Sequence, residues 1–231
     1  MHRVSDDWFV GFHQGLAARF WHAAGATMAD GDVRLIQTLL PRGSVLDAPC
    51  GDGRIARGLK DAGYDVTGVD ISPTALAGAG DLNVLQGDLR DLPDLGPFDG
   101  AVCWGNSFGY LTPADTERSL AGFRRVIRPG GTLVLESGVL AESLLAGGVG
   151  GYSELTFGGV TMRTTRTYAV RESRLENTYV FEADGVTEHS ESAYFVHTAG
   201  ELVRMLHAAG FAEVDLGDYA LGARRAVIVA R

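Results

Sequence analysis

Three aspartates and a pair of glycines carry the chemistry that this sequence can do. Asp47 opens the run Asp47-Ala48-Pro49-Cys50-Gly51-Asp52-Gly53-Arg54-Ile55-Ala56, Asp70 follows about twenty residues after the glycines, and Asp88 comes directly after Gly87. Two glycines on a strand-to-helix turn let a ligand touch the backbone. The G-x-G-x-x-A pattern with an acid about 20 residues later is a signature for holding a ribose diol. A dinucleotide would satisfy that acid, but its diphosphate needs bare amides at a helix N-terminus, and Asp47 and Asp52 put negative charge beside the turn. At an effective dielectric near 20, unit charges about 4 Å apart interact by roughly 4 kcal/mol. The charges therefore favour a nucleoside with a positive centre, and a dehydrogenase using NAD(P) at the GDGRIA turn stands as the competing reading.

The elements that must position these residues follow from periodicity. SVLDAP, YDVTGVD, LNVLQGD, FDGAVCW and GTLVLES are short β-rich runs separated mostly by helical stretches, the pattern of a parallel sheet with right-handed crossovers. In such a sheet ligands bind beyond the carboxyl ends of the strands, where Asp47, Asp70 and Asp88 all fall. Ahead of the sheet, Trp8, Phe12, Leu16 and Phe20 recur every four residues, with Phe9 and Trp21 beside them. That spacing predicts one amphipathic helix over residues 6–23, and a second helix is expected from Asp30 to Leu40, before Pro41. The helix between Asp70 and Asp81 should be short.

After Ser137 the rhythm changes. Residues 152–196 contain three or four β-runs joined by turn signals such as Ala183-Asp184-Gly185, which reads as an inserted antiparallel meander. A helix at 198–209 follows, with Thr198 and Glu201 forming a capping box and Gly210 as its stop. Two strands near 212–219 and 225–230 close the chain. The expected organisation is a helical cover over 1–41, an α/β core over 42–151 and 197–231, and inserted strands over 152–196.

The composition excludes several classes. With 231 residues, 29 acids against 20 Lys and Arg, and a net charge of -9, the average surface is the wrong sign for nucleic acid or an anionic membrane. No window is apolar enough to span a bilayer, and the N-terminus does not read as a signal peptide, so a cytoplasmic protein is expected. Two cysteines, Cys50 and Cys103, make no disulfide framework, and the six His and two Cys show no metal-ligand spacing.

In this order and spacing, VLDAPCGDGRIA (45–56), VTGVDIS (66–72), VLQGDLRDLP (84–93), FDGAVCWGNSFGYL (98–111) and RRVIRPGGTLVLE (124–136) resemble the Class I S-adenosylmethionine-dependent methyltransferases. The resemblance covers most of residues 42–231. It implies a Rossmann-like, doubly wound, mostly parallel seven-stranded sheet of the α/β class, with S-adenosyl-L-methionine as cofactor and S-adenosyl-L-homocysteine as product. Carried over position by position, Asp47 and Gly51, with Cys50 and Gly53 on the same turn, hold the methionine end. Asp70, with Ile71 beside it, matches the acid on the ribose hydroxyls, Asp88 and Leu89 match the adenine contact, and Trp104 and Asn106 fall on the loop where the methyl is presented. Pro49 stands where the family usually has a glycine. Cys50 reads as a reactive thiol at a helix N-terminus or, more commonly, as a small space-filling residue.

Methyl transfer is an in-line displacement, so the protein mainly aligns the acceptor and excludes water. A hydroxyl acceptor usually benefits from a nearby base and an amine needs only to arrive neutral. Candidates for that role, or for contact with the acceptor, are His13, His22, Asn106, Tyr110, Glu136 and Tyr194. The loop after the fourth strand lacks the [ND]-P-P-[YF] motif of enzymes that methylate amino groups of nucleic-acid bases, since Asn106 is followed by Ser107-Phe108-Gly109-Tyr110. A small organic molecule is the expected acceptor, with a protein acceptor as the alternative, and the inserted strands resemble the acceptor cover of amino-sugar N-methyltransferases. Arg166, Tyr168, Asn177, Tyr179 and Tyr194 form a candidate acceptor-facing set. The alternatives are that these strands cover the core or pair two chains as a homodimer, that the aromatic stripe is plain helix packing, and that the whole is a non-catalytic module.

Overall fold

The computed structural model describes residues 3–146, 148–149 and 151–231. Along the chain, α1 (Phe9–Phe12), α2 (Gly15–Ala26) and α3 (Ala29–Leu39) precede the first strand. Then come β1 (Ser44–Asp47), α4 (Arg54–Asp61), β2 (Asp65–Asp70), α5 (Pro73–Ala77), β3 (Asn83–Gln86), β4 (Phe98–Cys103), α6 (Pro113–Val126), β5 (Ile127–Ser137) and α7 (Ala141–Leu144). The inserted strands are β6 (Gly151–Phe157), β7 (Val160–Ala169), β8 (Arg174–Ala183) and β9 (Val186–Phe195), and α8 (Ala199–Ala208), β10 (Val214–Asp215) and β11 (Ala226–Ala230) end the chain.

Seven strands form one sheet in the order β10-β11-β5-β4-β1-β2-β3. β1 pairs in parallel with both β2 and β4, so the strand order reverses at β1, and a crevice opens beyond the end of that strand. β11 is antiparallel to its neighbours β5 and β10. Alternation along the strands feeds two apolar layers. Leu46, Ala101, Leu133 and Leu135 pack with Phe123, Leu206 and Phe211 on one face, and Val45, Val102 and Val134 pack with Ile36, Ile55 and Leu59 on the other. The capping box expected at α8 is present. The strand expected near 212–219 is shorter: it spans Val214–Asp215 at the edge of the sheet, and just past it the Asp215 carboxylate accepts the Gly217 N–H at 2.8 Å.

The single helix expected over residues 6–23 is broken at His13-Gln14. Gly15 stands at φ +52°, which favours glycine, and the carboxylate of Glu188 on β9 takes the place of a further turn by accepting the Leu16 N–H at 2.8 Å. The stripe read from the sequence survives the break. Trp8, Phe12, Ala17, Phe20 and Ala24 pack against Val160, Met162, Tyr179, Phe181 and Ala193 of the second sheet. That sheet is an antiparallel meander in the order β6-β7-β8-β9, and α2 lies along all four of its strands. No helix among the described residues is long and apolar enough to cross a membrane.

Candidate active site

A cavity of about 960 Å³ opens at the carboxyl ends of β1, β2 and β4. Its floor is the turn after β1. Gly51 has φ +56° with no atom within 4 Å of where a side chain would begin, whereas at Gly53, φ +85°, a β-carbon would meet Leu82 Cδ1 at 2.3 Å. Gly51 therefore leaves room for a ligand over its α-carbon at the cavity floor, and Gly53 serves the packing behind it. Asp70 ties this turn to the next strand: its Oδ2 accepts the Gly51 N–H at 2.8 Å, and its Oδ1 accepts the Ser72 N–H at 2.9 Å.

Asp47 is buried, and its Oδ2 has no hydrogen-bond partner. Burial pushes its carboxyl up to about 7, against the Ala56 N–H and the Arg54 charge, which pull it down. Asp88 differs. Partial burial would raise it, but the Arg90 side chain and backbone N–H hold it below the ordinary carboxylate range. Arg90 Nε lies 2.9 Å and Nη2 2.6 Å from Asp88 Oδ2.

The opposite wall is the second face of α1 and α2. Phe9, His13, Trp21 and His22 line the cavity while Trp8, Phe12 and Phe20 pack away from it. Burial lowers the His13 imidazole below its usual value, against the attraction of Asp70 and Asp52. His22 Nδ1 bonds Asp52 Oδ2, joining α2 to the floor. Tyr110 closes the end: its ring lies 4.7 Å from Trp8, 5.5 Å from Tyr194 and stacked at 6.0 Å on Phe9. Burial raises its phenol well above the ordinary range, so it stays protonated.

Asp47, Cys50, Gly51, Asp70, Ile71, Asp88, Leu89 and Trp104 line this one cavity, together with His13 and Tyr110. Asn106 and Glu136 do not. Glu136 is buried and accepts the N–H groups of Gly105 at 2.9 Å and Asn106 at 3.1 Å, and Asn106 turns its own Oδ1 to the Gly138 N–H. Both residues hold the loop after β4 from behind. Burial raises the Cys50 thiol far above its usual value, the condition of a filler and not of a thiolate.

Of the set expected to face the acceptor from the insertion, Arg166, Tyr168, Asn177, Tyr179 and Tyr194 lie outside the lining, and the Tyr194 ring stands 5.5 Å from that of Tyr110, which closes the cavity. Tyr179 instead bonds Ser192 Oγ at 2.9 Å, and Asn177 donates to the same oxygen at 3.0 Å. Of the described insertion residues, Gly158 reaches the lining. The lining residues that sequence reasoning missed include Arg19, Ser72 and Ser107. Trp21 and Phe9 were legible as aromatics beside the stripe, but their facing needed the break at His13-Gln14.

A family described as a methyltransferase domain matches residues 45–131. A dTDP-3-amino-3,6-dideoxy-alpha-D-glucopyranose N,N-dimethyltransferase of Streptomyces fradiae is 30% identical over 191 residues, 78% of this chain and 72% of that protein. A glycine/sarcosine N-methyltransferase of Parasynechococcus marenigrum is 35% identical over 127 residues, 50% of this chain and 45% of that protein. The crystal structure of Streptomyces venezuelae DesVI superposes with a TM-score of 0.72 at 22% identity, covering 99% of each chain. The chain spans about half the length of most curated relatives that it matches. Sheet order, switch-point cavity and acid-bearing strand ends define an α/β enzyme built around a nucleoside. By its match along most of the Streptomyces fradiae protein, the chain belongs to the class I S-adenosylmethionine-dependent methyltransferases. Neither a dehydrogenase nor a non-catalytic module has a counterpart among these matches.

The residues present suit S-adenosylmethionine. Asp47 offers a buried oxygen without a partner, Gly51 free space above its α-carbon, and the acids of the lining a field that favours a cation.

Proposed function

We propose that this chain transfers a methyl group from S-adenosylmethionine to a nitrogen or oxygen of a small organic acceptor and releases S-adenosylhomocysteine. The observation that carries the reading is the convergence of Asp47, Asp70 and Asp88 on one cavity beside the open Gly51. When bound, the cofactor supplies an electrophilic methyl on a sulfonium. Asp70, already fixed by Gly51 and Ser72, keeps lone pairs for two ribose hydroxyls. Asp47 and Gly51 hold the amino-acid end, and Asp88 with Leu89 borders the adenine. Trp104 and Gly105 flank the methyl.

The acceptor then lies against α1 and α2. Phe9, Trp21 and Tyr110 exclude water there, and His13 is the group suited to take a proton at an imidazole nitrogen, because burial keeps the ring neutral near pH 7. Tyr110, held protonated, can donate a hydrogen bond but not remove a proton. The inserted sheet acts as a buttress for these helices. A nitrogen nucleophile is favoured by the names of the Streptomyces fradiae and Parasynechococcus marenigrum relatives. The same reading has a cytoplasmic protein without a nucleic-acid partner, supported by the net charge of -9.

Calorimetry with S-adenosylhomocysteine and with NADH tests the donor site, and mass spectrometry of amine and hydroxy metabolite pools incubated with S-adenosylmethionine tests the transfer. We expect tight binding of the homocysteine product and a gain of one methyl. Binding of NADH with indifference to S-adenosylhomocysteine would overturn the reading.

A further inference from the structure

We infer that Asp32 and Arg225, neither of which lines the cavity, are positioning residues that keep the turn after β1 and the loop after β4 in register. The inference rests on the methyltransferase reading above. Asp32 lies on α3 and is 3% exposed. Its Oδ2 accepts Arg54 Nη1 at 2.9 Å, and its Oδ1 accepts Arg225 Nη1 at 2.9 Å. Each guanidinium leads to a different side of the cavity.

Arg54 begins α4 immediately after Gly53 and itself lines the cavity. Arg225 stands just before β11, with its guanidinium 5.4 Å from the centroid of the Trp104 ring and its Nη1 3.9 Å from Glu136 Oε1. The other oxygen of Glu136 holds the Gly105 and Asn106 N–H groups, and Asn106 in turn holds Gly138. One buried carboxylate thus stands between the backbone that would receive the methionine end and the loop that would flank the methyl. The two segments come from strands adjacent in the sheet but distant in sequence, and hydrogen bonds within the strands do not set the tilt of the Trp104 ring.

The arrangement is better suited to fixing geometry than to stabilising the fold. Buried ion pairs are weak contributors to stability, since desolvation offsets much of their attraction. A planar guanidinium, however, has a fork that bonds in a set direction and a face that stacks on an indole. Asp32 sets the plane of Arg225, and Arg225 sets the face presented to Trp104. A shift of about an ångström in such a site is enough to degrade alignment for an in-line displacement.

The test uses Asp32→Asn, Arg225→Gln and Arg225→Lys in the full chain, with S-adenosylhomocysteine affinity from calorimetry and melting temperature from circular dichroism. We expect Asp32→Asn and Arg225→Gln each to weaken the affinity at least about fivefold at a temperature where both are folded. Arg225→Lys should restore less than half of that loss, because an ammonium has no planar fork. In a Trp104→Leu background, Arg225→Gln should weaken binding by less than about twofold, since its aromatic stacking partner is gone. Wild-type affinity in Arg225→Gln, or an equal loss with and without Trp104, would overturn the positioning role and leave a structural ion pair. If Arg225→Gln does not fold, Arg225→Lys and Asp32→Asn carry the same comparison. A wild-type chain that fails to bind S-adenosylhomocysteine instead overturns the methyltransferase reading.

Discussion

Asp70 Oδ2 accepts the Gly51 N–H at 2.8 Å, so the acid at the end of β2 is bonded to the glycine turn at the end of β1. Its other oxygen is held by Ser72 N–H at 2.9 Å. The carboxylate is therefore fixed in place with lone pairs left over, the preorganisation that a ribose diol requires.

Asp70→Asn should weaken S-adenosylhomocysteine binding by roughly 1.5–3 kcal/mol, about 10- to 100-fold, because an amide has one accepting oxygen and turns a donor toward Gly51 or Ser72. Calorimetry reads this directly. Unchanged affinity would remove Asp70 from the donor site.

Asp47 should make both stability and binding depend on pH. Burial raises its carboxyl from 3.8 to about 7 in the folded chain, so the folded state keeps a proton that the unfolded state loses. The stability from this group is fully present below about 3.8 and is lost as pH rises to about 7. The ammonium of the methionine end favours the Asp47 carboxylate, so affinity for S-adenosylmethionine should climb with pH up to about 7, with proton release on binding below it. Titrations in two buffers of different ionisation enthalpy check this, and S-adenosylhomocysteine, which keeps the same ammonium, should show a similar buffer dependence that Asp47→Asn removes. Equal enthalpies in both buffers would count against it.

His13→Asn should reduce kcat by about 100-fold or more if the imidazole removes a proton in the transfer, while leaving the affinity for S-adenosylhomocysteine within about twofold. In the wild-type chain the acidic limb of the rate profile should fall below 6.5, because burial lowers the imidazole from that value and a base must be neutral to act. A limb above that value would point to another group.

The two glycines of the floor should separate stability from binding. Gly53→Ala should lower the melting temperature, at roughly 1–3 kcal/mol for overpacking, since the new methyl meets Leu82 Cδ1 at 2.3 Å. Gly51→Ala carries only the backbone strain of its φ, about 1–2 kcal/mol, with open space around it, and its larger effect should be on S-adenosylhomocysteine affinity. Identical profiles for the two variants in thermal melts and calorimetry would contradict this division.

Much of this molecule is legible in one dimension because its parts are local. Strand ends, the glycine turn after Asp47 and the capping box at Thr198 depend on residues within a few positions of each other, and the parallel order places Asp47, Asp70 and Asp88 on one rim without further information. The insertion was legible as strands but not in its facing. Both sides of a short meander carry polar and aromatic residues, so nothing in the alternation says that α1 and α2 would cover the side bearing Tyr179 and Asn177.

From its residues alone the chain determines an α/β sheet whose strand ends gather acids around a glycine turn, since propensity, period and charge each act over short stretches. Tertiary structure decides which groups face the ligand. Glu188, 172 residues after Leu16, accepts the Leu16 N–H at the start of α2, and His13, at the break between α1 and α2, lines the cavity. Glu136 is drawn away from the cavity by the amides of Gly105 and Asn106, and Asp32 gathers arginines from two distant segments. These are contacts between residues far apart in the chain, made because a buried charge or an open helix end takes whatever partner the fold brings near it.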